Sequence, residues 1–223
     1  GGIGLGIAMI SFIYSITNTT AAITLLCLAA MPFFTALLAF LFLKEKISLN
    51  VWISMLIATV GIIIMAVGNT EKNSLIGFVF GLTSSIGFSI FSVTLRWRKE
   101  TPKFTTVAVA GLFCFITATI MILVNKQPFF ATSYNSAMFS LHGVLVCLGL
   151  ILYSIGSKAI QAAELTLLSL TEVIGGIFWV WLPLFGINEI PSTNTIVGGF
   201  FLFVSLIYYS LIMRWNKRYI ALN

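Results

Sequence analysis

Ser169, Glu172, Gly176, Trp179 and Pro183 follow one another at spacings of 3, 4, 3 and 4 residues, the spacing of a single face of an α-helix. They lie in an apolar run of membrane-spanning length, Leu165 to Phe185. A lone carboxylate in such a run costs about 2.5–3.5 kcal/mol to insert. Glu172 is therefore expected to face a cavity or a partner. Two chemistries fit the stripe. It is the wall of a cavity in which Glu172 exchanges protons or binds a cation, with Ser169 as a polar neighbour and Trp179 available to stack on a substrate. Otherwise Glu172 is a protonated side chain, hydrogen-bonded within a helix bundle and serving no ligand.

Other groups could join it. Tyr14 and Asn18 stand near the end of one apolar segment, Tyr153 and Ser157 near the end of another. They could hydrogen-bond a substrate or anchor helices at an interface. Lys158, near Glu164, is a candidate electrostatic gate or a lysine that only fixes orientation. Pro32 and Pro183 interrupt helix hydrogen bonding and, with Gly176, are candidate hinges or static kinks. His142 is the single histidine and the chain has no Asp, so no metal site is expected. Cys27, Cys114 and Cys147 all sit inside apolar runs and read as packing residues.

The elements that hold these groups follow from composition. Of 223 residues, 59% are hydrophobic and 8% charged, against about 25% charged in soluble domains. Too few polar side chains exist to cover a water-facing surface. An all-α polytopic membrane protein is expected, because barrel strands would alternate apolar and polar positions over about ten residues. An intramembrane enzyme would need HExxH, GxSxG or paired Asp, and none occurs in the sequence. Neither does an ATP-binding motif.

Eight apolar segments are legible: Gly2–Thr17, Thr20–Leu43, Leu49–Gly68, Leu75–Leu95, Phe104–Asn125, Ala137–Ser157, Leu165–Phe185 and Thr193–Met213. Short polar turns separate them, as lipid requires. Counting basic residues orients them. Lys44, Lys46, Arg96, Arg98, Lys99, Lys103, Lys158, Arg214, Lys217 and Arg218 fall on one side, Lys72 and Lys126 on the other. The first side is expected to be cytoplasmic, with the C-terminus on it. The net charge of +6 is then a matter of topology and calls for no nucleic acid. The glycines of Gly2-x-Gly4-x-Gly6 and the stripe Gly77-x3-Gly81-x3-Ser85 read as close helix packing.

The chain repeats itself. Tyr14-Ser15-Ile16, Ala21-Ala22 and Thr24-Leu25-Leu26-Cys27-Leu28 return as Tyr153-Ser154-Ile155, Ala162-Ala163 and Thr166-Leu167-Leu168-Ser169-Leu170, offset by 139 to 144 residues. Both copies run on to a Glu, Glu45 and Glu189, with Ser48 and Ser192 three residues later. The late copy is preceded by two helices from Leu75. Equivalent helices for the early copy are expected roughly 65–70 residues ahead of Gly1, giving ten in all. Five helices per unit makes the copies enter the membrane in opposite senses, an inverted repeat of the kind found in secondary transporters. Cys27, Ala30, Phe34 and Leu37 occupy the early positions of the Glu172 stripe, so its polarity exists in one half only.

Pro32, Leu43-Lys44-Glu45-Lys46-Ile47-Ser48 and Gly61, then Glu172-Val173, Gly186-Ile187-Asn188-Glu189-Ile190-Pro191-Ser192 and Gly198-Gly199, resemble the drug/metabolite transporter superfamily, EamA type. The resemblance covers nearly all of the chain. It implies a five-plus-five inverted repeat around a central cavity. Residues 1–68 would be the last three helices of the first repeat, 69–74 a linker, 75–213 the second repeat and 214–223 a basic cytoplasmic tail. Three departures stand out: the absent first two helices, two residues between Gly186 and Glu189 where the family has Gly directly before Glu, and Val173 where many members have Pro.

The expected function is a secondary transporter. It would move a small metabolite, amino acid or drug-like molecule by alternating access, coupled to protons or to exchange. The alternatives are a non-transporting scaffold or receptor, and an S-adenosylmethionine or nucleotide-type importer of the same superfamily. A small-molecule substrate and the lipid bilayer are the expected partners, a homodimer is left open, and no cofactor is called for. The expected location is the plasma (inner) membrane, as a multi-pass protein.

Overall fold

A computed structural model describes residues 1–19, 24, 27–67, 75–97, 103–129, 132–172, 174–175 and 192–222. The helices are α1 (Gly2–Asn18), α2 (Met31–Leu38, continued by a π-turn over Ala39–Leu43), α3 (Leu49–Val67), α4 (Leu75–Trp97), α5 (Lys103–Val124), α6 (Ser133–Gly156), α7 (Ala162–Ser169) and α8 (Thr193–Leu222). No strand occurs among the described residues. Leu75–Trp97, Phe104–Val124 and Ser133–Gly156 are long and apolar enough to cross a membrane, and shorter apolar helices occupy Gly2–Asn18, Cys27–Leu43, Leu49–Ile64 and Ile196–Ile212. The exterior matches. Phe115, Phe139 and Leu152 are each more than 65% exposed, an apolar surface suited to lipid rather than water.

Three helix boundaries differ from the sequence reading. The sixth segment starts at Ser133 instead of Ala137, because Thr132 caps it by accepting the Asn135 amide. The last helix continues to Leu222 rather than stopping at Met213. α7 starts at Ala162, which puts Glu164 in its first turn instead of outside the run. A carboxylate there is favoured by the helix dipole.

α4 is the central helix. Its small-residue face lets neighbouring backbones come close. A Cβ on Gly81 would lie 2.7 Å from Cys27 Sγ, one on Gly77 2.6 Å from Thr19 Cβ, and one on Gly87 2.6 Å from the Gly4 carbonyl oxygen. The same face carries serines. Ser84 donates to the Ala8 carbonyl at 2.9 Å, Ser85 to that of Cys27, and Ser89 to that of Met31 at 3.1 Å. The last two bonds bracket a break. Helix stops at Ala30 and restarts at Met31, with Pro32 in the first turn of α2. Proline cannot donate to the preceding turn. Serines four apart on α4 meet carbonyls four apart across the break, one helical turn matched to another.

Two apolar clusters complete the interior. Leu5, Phe91, Leu95 and Val107 join α1, α4 and α5. Met55, Ile62, Leu167 and Leu202 join α3 and α8 to α7, and Met31 and Ala36 of α2 complete that cluster. α3 and α8 cross closely, since a Cβ on Gly61 would lie 2.6 Å from the Gly198 carbonyl oxygen.

Lys44 ends the π-turn in the left-handed region, φ 55° and ψ 27°. An L side chain there costs about 1–2 kcal/mol, and glycine removes the cost. This gives a physical reason for a Gly directly before Glu in turns of this kind. Lys44→Gly is expected to raise stability by about 1 kcal/mol, read as a higher apparent Tm in detergent.

Candidate translocation site

α7 and its continuation carry the expected carboxylate. The helix pauses at Leu170, whose amide bonds to the Leu167 carbonyl at 3.2 Å, and a further helical turn holds Thr171 and Glu172. Hydroxyls tie this pause together. Ser169 donates to the Thr166 carbonyl at 2.7 Å and Thr171 to that of Leu168 at 2.9 Å. Ser169 is half-buried and Glu172 exposed. Counting ten residues from Ala162, Glu172 lies roughly 15 Å along the helix direction. Thr171 and Ile174 border an open, apolar groove of about 280 Å³ against Phe203, Leu206, Ile207 and Ser210 of α8. Gly176, Trp179 and Pro183, the rest of the stripe, lie outside the described residues, as does Glu189.

The two tyrosine groups are not brought together. Tyr14 meets the early part of α4, its ring stacked on Phe80 at 5.1 Å and its hydroxyl donating to Met121 Sδ at 3.5 Å. Asn18 is exposed and donates to the Tyr14 carbonyl at 2.8 Å. Tyr153 meets the other end of α4. Its hydroxyl is 2.6 Å from Ser92 Oγ, and its ring packs on Phe88 and Phe91 at 5.2 and 5.9 Å. Ser157 is buried and donates to the Ser154 carbonyl at 2.7 Å. The Lys158 side chain is exposed, and its carbonyl accepts a bond from Arg96 at 3.0 Å. Pro32 is buried.

Two polar groups escaped the sequence reading. Glu164 is 8% exposed and accepts the Tyr209 hydroxyl at 3.0 Å. Starting the segment at Leu165 placed it outside the membrane by one residue. Arg96 pairs with Glu45, Nε to Oε1 at 2.8 Å. These residues are 51 apart, and only their charge could have suggested the pair. Among the described residues, no three His, Cys or Glu side chains are grouped to hold a metal.

This geometry agrees with comparisons to known proteins. Residues 1–67 match the EamA-like transporter family. The resemblance drawn from the residues is borne out by that match and by relatives named as transporters. An uncharacterized transporter of Clostridium kluyveri is 24% identical over 221 residues, covering 93% of this chain and 69% of its own length. A pseudopaline exporter of Pseudomonas aeruginosa is 24% identical over 204 residues, covering 89% and 69%. An uncharacterized transporter of Helicobacter pylori is 28% identical over 130 residues, and the matched stretch is 44% of that protein. A crystal structure with a TM-score of 0.70 and 18% identity covers 95% of this chain and 76% of its own, a likeness of fold alone. The chain is thus similar to integral membrane transporters of the EamA type.

Proposed function

We propose that the protein is a secondary transporter that moves a small organic solute by alternating access, with Glu172 in the path of the solute or of a coupled proton. The observation that carries this reading is the paired interruption of equivalent helices. The early copy breaks at Ala30 and the late copy at Leu170, and Glu172 follows the second break by two residues. Each interruption is one residue that keeps a right-handed helical backbone and bonds one residue short, Ala30 to Cys27 and Leu170 to Leu167, and transporters build solute sites at interrupted helices.

An inverted ten-helix arrangement is supported in two ways. Tyr14 and Tyr153, equivalent in the repeat, contact opposite ends of α4. α1 buries Gly2, Gly4, Leu5, Gly6 and Ala8 under its neighbours, whereas its counterpart α6 buries only Ser154. Two further helices, equivalent to α4 and α5, would cover α6. We place the basic end at the cytoplasmic face of the plasma (inner) membrane, with α8 ending there. A relative named as an exporter makes export the direction to test first. Coupling would come from protons or exchange. Solute flux into liposomes holding the full-length protein, without ATP, tests the proposal.

A further inference from the structure

One side chain ties three helix ends together at the basic end. Arg96 stands in the last turn of α4. Its Nε donates to Glu45 Oε1 at 2.8 Å, in the turn after α2. Its Nη1 donates to the Ser157 and Lys158 carbonyls at 3.4 and 3.0 Å, just beyond α6. The planar guanidinium suits this division, because it aims several donors outward at once, where an ammonium is a single point charge. The two charged side chains are only 16% and 15% exposed, so the pair is not a solvated surface bridge.

A second layer lies beneath it. Arg96, Ser92 and Phe88 are four apart on one face of α4, spanning roughly 12 Å of helix. Ser92 holds the Tyr153 hydroxyl, and Phe88 packs edge-on to the Tyr153 ring at an interplanar angle of 73°. The polar clamp and the aromatic layer are therefore successive turns of one seal. The seal joins the two copies of the repeat, since Glu45 belongs to the early one and Arg96, Tyr153 and Ser157 to the late one. It also carries a cost. Among the described residues, Glu45 Oε2 is buried without a hydrogen-bond partner, and a half-satisfied carboxylate away from water opposes the arrangement that buries it.

We propose that the Arg96–Glu45 pair, with the Ser157 and Lys158 carbonyls, is a latch that holds the basic end shut and must release before that end can open. The inference rests on the transporter reading and adds the contact that one access state must break. Lys158 takes part through its carbonyl rather than its ammonium group.

The test uses the full-length protein in membrane vesicles with Ser92→Cys as reporter, one turn beneath Arg96. A membrane-impermeant maleimide is added from the basic side. Labelling is read by mass at position 92, which separates it from Cys27, Cys114 and Cys147. Glu45→Gln is expected to speed labelling about tenfold, the effect of losing one charge-assisted bond, and Arg96→Gln, which also loses both carbonyl bonds, at least as much. The double variant should label no faster than Arg96→Gln, which already removes the shared Glu45 contact together with both carbonyl bonds. Lys44→Gln, beside Glu45 but exposed, should leave the rate unchanged. Single-variant rates within about twofold of the parent would overturn the latch. So would additive increases in the double variant, which mark local unfolding. Labelling needs no solute. Faster labelling in a protein that moves nothing keeps the latch and removes the transporter reading, and transport with unaltered labelling does the reverse.

Discussion

Gly87→Leu is expected to abolish the folded bundle. A Cβ at position 87 would lie 2.6 Å from the Gly4 carbonyl oxygen and 3.1 Å from the Ala8 amide nitrogen. Both are backbone atoms of α1, so no rotamer change relieves the contact. The helices would have to separate, and separation breaks the bond from Ser84 to the Ala8 carbonyl and loosens Leu5 from Phe91. Overpacking that side chains can absorb costs about 1–3 kcal/mol. A clash with backbone belongs at or beyond the upper end of that range. Thermal unfolding in detergent should show a lost or strongly lowered transition. Gly111→Ala is the matched control. Nothing lies within 4 Å of a Cβ there, and alanine favours the helix by about 1 kcal/mol, so its transition should stay or rise.

The second large effect concerns Glu172. Glu172→Gln keeps the shape and removes the charge, and it is expected to lower transport by about 10- to 100-fold, the loss of one charged hydrogen bond. Glutamine also replaces an ionisable group in an apolar span with a neutral amide, which costs less to bury than a charge. Thermal stability should therefore hold or increase while transport falls, and the pH dependence of transport should flatten. These opposite signs separate a site from a structural role. If both transport and stability fell together, Glu172 would be part of the packing. If neither changed, it would lie outside the path.

The helical segments were legible because lipid leaves backbone groups few options, and long apolar runs announce that constraint. The glycine stripe Gly77, Gly81, Ser85 was legible for a similar reason, since only small residues admit a neighbouring backbone. The break at Pro32 could also be read, because proline lacks a donor. Its late counterpart at Leu170 could not, having no proline, and hydroxyls of Ser169 and Thr171 tie it instead. Ser85 looked like a packing residue, and Ser89, one turn on, carried no expectation. Their role as donors to Cys27 and Met31 depends on how two helices register. Glu164 was misplaced by a boundary three residues late, at Leu165 instead of Ala162, and Arg96 with Glu45 needed the fold to meet. Of the expected site, Ser169 and Glu172 fall beside the late break, Tyr14 and Asn18 at one end of α4, and Tyr153 and Ser157 at the other.

The most direct test is solute counterflow through the full-length protein in liposomes, without ATP. Vesicles are preloaded with one unlabelled solute from a panel of amino acids, S-adenosylmethionine and other small metabolites, and a trace of the labelled form is added outside. The expected result is a transient accumulation of label with at least one solute, well above empty liposomes, only when that solute is inside, and lost in Glu172→Gln. Flux equal to empty liposomes for every solute, from protein with an intact thermal transition, would contradict the transporter reading.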